Sequence, residues 1–124
     1  MKRLISVVIL LAIITTVYFT GDIYIKKIIN ESYTLVENCT KNYNNNKNAT
    51  KSAEKLKKFW SENEGILSMF AHHDSIDVLE KAIDSLVIYS KTKNSEIFYE
   101  YSATIKTLLH QLYEDNSFSM HSIL

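Results

Sequence analysis

From Leu4 to Thr20 the chain carries no charged residue, and beyond that point apolar positions recur at spacings of three and four. The first pattern predicts one membrane-spanning helix and the second a set of amphipathic helices. Met1, Lys2 and Arg3 open the apolar run and Gly21 and Asp22 close it. At about 1.5 Å rise per residue its seventeen positions cover roughly 25 Å, near the short limit for a bilayer, so Thr20 to Ile25 are expected to carry the helix into the headgroups. A cleavable signal peptide would need small residues before the cut, yet a cut after Gly21 would place Phe19 at one of those positions. The segment 1–21 is therefore expected to stay as an anchor. Lys2 and Arg3 place its N-terminus in the cytoplasm and residues 22–124 outside, at the cell membrane as a single-pass protein.

Outside the anchor, one apolar face runs through Ile25, Ile28, Ser32, Leu35 and Cys39, with Ile29 and Val36 beside it. This first helix continues the membrane segment and should end in the asparagine cluster Tyr43 to Lys47. A second helix is predicted from about Thr50 to Phe70 on Ala53, Leu56, Trp60, Asn63, Leu67 and Phe70, with Gly65 loosening its last turns. Asp74 or Ser75 is expected to cap the third, whose stripe is Ile76, Leu79, Ile83, Leu86 and Ser90, with Val87 beside it. Lys91 to Asn94 breaks the pattern. The fourth starts at Ser95, turns Phe98, Tyr101, Ile105, Leu108 and Leu112 inward with Ile97 and Leu109 at the margins, and should stop at Asp115 and Asn116.

The absence of proline and the presence of only two glycines leave little turn chemistry for a β protein. The fold class expected is all-α: an N-terminal transmembrane helix, then a small antiparallel bundle of three to four helices over residues 22–124. Phe118, Met120, Ile123 and Leu124 keep an apolar tail to the end, expected either to dock on the bundle or to bind something. Roughly a hundred outer residues bury only a modest core, so self-association or a partner is expected to contribute stability. Preference for Lys over Arg, with much Ile and Asn, suggests an AT-rich bacterial genome, which also explains the sequons at Asn30, Asn38 and Asn48 as chance.

Net charge is zero, but residues 22–60 hold eight lysines against four acids and residues 61–124 four lysines against ten acids. A basic half is expected to pack beside an acidic one, and zero net charge outside the membrane argues against nucleic acid. Cys39, the only cysteine, reads as a small core residue. His73 with Asp77, and His110 with Glu114, repeat a four-residue spacing that an antiparallel hairpin would bring level, which is the arrangement of a four-ligand metal site. The helical wheel turns both pairs away from the apolar stripes and toward solvent, so no metal or other cofactor is expected. Trp60 reads first as a core anchor, and Tyr89, Tyr99, Tyr101 and Tyr113 as helix-margin packing before a sugar-binding or peptide-binding surface. There is no glycine-rich phosphate loop and no nucleophile turn, so the chain is not expected to be an enzyme.

Trp60, Leu67, His73, Asp74, Ile76 and Asp77, then Leu108, Leu109, His110 and Leu112, then Phe118, Ser119, Met120, Ile123 and Leu124, together resemble a family of small single-pass membrane proteins of unknown function from endospore-forming Gram-positive bacteria. Ser122 stands where that family usually has an asparagine. The resemblance implies an accessory role beside a multi-pass membrane protein. The expected function is thus an uncharacterised, non-enzymatic interaction protein for another membrane or envelope protein, with a homo-oligomer as a further option. A ligand-binding or sensing module is the alternative. The accessory role would make contact through the bundle surface and the tail residues Phe118, Met120, Ile123 and Leu124, and the sensing module through Trp60, His73 and Asp77 at one end of the bundle.

Overall fold

Four helices account for nearly the whole chain: α1 (Lys2–Asn44), α2 (Ala49–Phe70), α3 (His73–Ser90) and α4 (Ser95–Ile123). The computed structural model describes the backbone of residues 1–123 and their side chains except those of Phe70 and residues 115–123. Among the described residues there is no strand. The helices alternate in direction, each packs on its neighbour in sequence, and α1 closes the ring against α4.

The first helix combines two environments. Residues 2–20 are exposed on every face, whereas from Gly21 onward one face is buried through Ile25, Ile28, Ile29, Ser32, Val36 and Cys39. No proline interrupts the transition, and Thr15, Thr16 and Thr20 return their hydroxyls to carbonyls four residues earlier, so the polar groups in the apolar run are satisfied within the helix. It ends where the asparagine cluster was expected to end it. Asn46 takes a left-handed φ of 55°, a conformation asparagine tolerates well, and the Asn48 side chain caps α2 by accepting from the Lys51 amide at 3.0 Å.

The core is a column of Leu and Ile from all four helices around Trp60 and Phe98, which are the largest fully buried side chains. At the end away from the apolar run, Tyr43 stacks on Phe98 with ring centroids 3.9 Å apart, and Thr40 and Ser102 share a hydrogen bond of 2.8 Å between α1 and α4. That hydroxyl pair belongs to a rotation of α4 relative to the expected stripe. Ser102 and Leu109 are buried while Tyr101 and Leu108 lie half-buried.

Three boundaries differ from expectation. Gly65 does not loosen α2, which stays helical to Phe70. The α2–α3 connection is only Ala71 and His72, so α3 begins at His73, with His72 as a cap residue lacking a side-chain bond and Asp74 inside the first turn. The early start gives Ile76 its helical place in the core opposite Leu67, a placement that a cap at Ser75 would weaken. The fourth helix continues past Asp115 and Asn116 to Ile123, because neither residue carries more than a mild helix penalty and no glycine or proline follows.

A methyl group added at Gly65 would meet nothing within 4 Å, and the residue has an ordinary negative φ. Gly65→Ala is therefore expected to stabilise the bundle by about 0.5–1 kcal/mol through helix propensity alone. Thermal melts of the detergent-solubilised protein measure it; a loss of stability would show that α2 bends there.

Candidate functional site

The up-down topology brings the C-terminal turns of α2 and the first turns of α3 to the end of the bundle next to the apolar run. His72, His73, Asp74 and Asp77 are all exposed there, as the helical wheel predicts for His73 and Asp77. His110 and Glu114 do not join them. They face each other along α4 at 3.6 Å, and both side chains are largely in solvent.

What the fold adds to Asp77 is a pair of glutamates. One carboxylate oxygen from each of Glu64, Asp77 and Glu80 lies within 4.8 Å of the others. The Glu64 carboxylate is the main cause that pushes the Glu80 carboxyl above its ordinary value, followed by partial burial, a hydrogen bond with Glu64, and the charges of Asp84 and Asp77. An oxygen-only, solvent-facing donor set of this kind suits a hard cation rather than zinc, and exposed acidic clusters commonly hold none. Glu64 and Glu80 carry no sequence signal for this, because they meet only through the register of α2 on α3.

Trp60 is 1% exposed and offers no surface to a partner; its indole N–H has no hydrogen-bond partner among the described residues. Cys39 is also inside, donating to the Ala49 carbonyl at 3.4 Å, and burial pushes its thiol up to about 11. A thiol held protonated in this way is neither a nucleophile nor a disulfide partner at neutral pH. Tyr89 and Tyr101 stack at 5.4 Å, and these two with Tyr113 pack against the core, leaving Tyr99 as the exposed member of the tyrosine set. The side chains of Phe118, Met120 and Ile123, and the whole of Leu124, lie outside the described residues.

Among the described residues, the surface carries a polar and an apolar groove. At the end away from the apolar run, a polar groove of about 330 Å³ is lined by Lys41, Lys47 and Lys55 with Asn38, Asn42 and Asn45. At the other end, an apolar groove of about 360 Å³ lies between α1 and Ile66 of α2, lined by Thr16, Val17, Thr20, Gly21 and Tyr24. The basic and acidic halves meet side by side through Lys57 with Asp84 at 3.1 Å and Lys106 with Glu37 at 4.0 Å. Lysines also gather around the α1–α2 turn and carboxylates around the α2–α3 turn, because α2 starts lysine-rich and ends acidic.

Since the Glu80 carboxyl is raised, the folded state carries a repulsion above that pKa which is relieved as pH falls through it. Glu80→Gln is expected to stabilise the protein by about 0.5 kcal/mol at pH 7, with the gain gone below about pH 4. Melting curves at both pH values check it, and a destabilised variant at pH 7 would mean that Glu80 is held by an attractive partner such as a bound cation.

Residues 19–123 match the family described as a domain of unknown function, DUF4363, a span that begins as the apolar run closes and takes in the whole bundle. No curated protein and no solved structure matches the chain.

Proposed function

We propose that this chain, which belongs to the DUF4363 family, is a membrane-anchored, non-enzymatic accessory protein whose helical bundle engages another membrane or envelope protein. The observation that carries this reading is the exposure of the apolar run: residues 2–20 contact almost nothing of the bundle, while the same helix continues into its core. A helix of this length and composition, left bare on all sides, is satisfied by a lipid bilayer. Lys2 and Arg3 before the run support a cytoplasmic N-terminus and an outer bundle, the more so as Asp22 beyond it is paired with Lys26 at 3.2 Å.

The interaction role follows from what the bundle holds. Its interior is filled mainly by apolar side chains, its one thiol is buried and protonated, and none of its described carboxylates, lysines or histidines is buried. Partners of such a protein bind faces rather than a catalytic cleft, and a multi-pass membrane protein would meet both the span and the bundle. The groove with Lys41, Lys47 and Lys55 supports a second reading, an extracytoplasmic module that senses an anionic ligand.

Tagged full-length protein, crosslinked in its own cells and purified in mild detergent, is expected to bring down one multi-pass protein in stoichiometric amount. Recovery alone or as a homo-oligomer would count against the accessory role and direct attention to the lysine groove.

A further inference from the structure

We infer that the end of the bundle formed by the last turns of α2 and the α2–α3 turn is embedded in the bilayer leaflet on the bundle's side, as a second membrane contact beside the span. This rests on reading the apolar run as membrane-spanning, and goes beyond it. The argument begins with a shortfall in length. The Tyr24 hydroxyl of α1 donates to Asn63 of α2 at 3.4 Å, and from that level the antiparallel α2 runs about 10 Å further to Phe70, so the α2–α3 turn lies near the level of Thr16. Below that level only Leu4 to Thr15 remain free, twelve residues that cover about 18 Å. A hydrocarbon core is about 30 Å thick, and snorkelling by Lys2 and Arg3 at the far side recovers only part of the difference.

Helix α1 is continuous through this region, so its register holds the bundle at a fixed height and leaves two remedies: a locally thinned bilayer or a submerged bundle end. The side chains at that end favour submersion. Met69 is 77% exposed, Ile23 66%, Tyr24 40% and Ile66 37%; Ile23 and Tyr24 follow the run directly on α1, Tyr24 and Ile66 line the groove beside it, and Met69 lies one turn further along α2 toward the tip. Exposed apolar residues in such a cluster are costly in water and stable at the boundary of headgroups and acyl chains, where the tyrosine ring and the imidazoles of His72 and His73 also suit the polar layer.

The occupant is lipid, and the contact is apolar rather than ionic. Asp74 at the level of Ile66 and Met69, with Asp77 and Glu80 above it, would repel anionic headgroups and hold the contact at the headgroup boundary; of the two lysines of α1 at this end, Lys26 is paired with Asp22 and Lys27 is exposed. The groove under Ile66, apolar and open at the side, has the dimensions and lining for acyl chain segments of that leaflet. Ile66 and Met69, three residues apart on one face of α2, therefore act as a wedge whose depth is set by α1.

Single cysteines introduced as Leu10→Cys, Met69→Cys and Ile88→Cys, each spin-labelled in the full-length protein, test this in neutral phosphatidylcholine nanodiscs. The native Cys39 stays unlabelled because it is buried. The label at Met69 is expected to lose access to a water-soluble nickel complex and gain access to oxygen relative to Ile88, to a level between those of Ile88 and Leu10 that marks the boundary of headgroups and acyl chains, while Ile88 stays in water. Should Met69 behave like Ile88 while Leu10 is in lipid, the embedded end is wrong although the span stands. If Met69 is shielded from both reagents, protein rather than lipid covers it, and the inference fails equally. Leu10 in water would instead remove the spanning helix itself.

Discussion

Everything in this fold hangs on one unbroken helix with two unlike parts, one bare and apolar on every side and one buried along a single face. Residues 2–20 of α1 present apolar side chains in all directions, and one turn later the same helix presents a single buried face to α2 and α4. Helical hydrogen bonding continues through Gly21 without a proline, so the direction and rotation of the first part are passed to the second. The other three helices then have little freedom. They must cover the stripe from Ile25 to Cys39, and with Tyr24 level with Asn63 the antiparallel α2 carries the α2–α3 turn back to about the level of Thr16.

The remaining physical features follow from that placement. A bundle of four amphipathic helices with connections of two to four residues has to alternate direction, which sends the lysine-rich start of α2 to one end and its acidic finish to the other. The result is a molecule polarised along its axis: apolar side chains and then carboxylates near the span, lysines and asparagines at the far end. Exposed ion pairs such as Lys57 with Asp84, and Lys106 with Glu37, add little to stability beside the burial of Trp60, Phe98 and the aliphatic column.

Much of this was legible in the order of residues. Spacings of three and four located all four helices, the Asn-rich turn and the Lys91–Asn94 break, and turned His73, Asp77, His110 and Glu114 outward. What escaped was decided by neighbours rather than by local pattern. Ala82 and Ser102 are buried although neither stands out by hydropathy, because their helices approach closely there. The cap expected at Asp74 or Ser75 yielded to a two-residue turn that serves the packing of Leu67 and Ile76, and the stop expected at Asp115 yielded because nothing after it breaks a helix. For the candidate site, Asp77 was visible and its companions Glu64 and Glu80 were not, since a cluster shared between two helices exists only once their register is set.

The rigidity of α1 is the claim on which the anchor, the polarity and the depth of the bundle all depend. Spin labels at Leu10→Cys and Lys41→Cys, measured by electron–electron double resonance in nanodiscs, report it directly, because thirty-one residues of continuous helix place them about 46 Å apart. A narrow distance distribution centred near that length is the result expected. A broad or markedly shorter one would place a hinge at Gly21 and free the bundle from the membrane that α1 is held to fix it against.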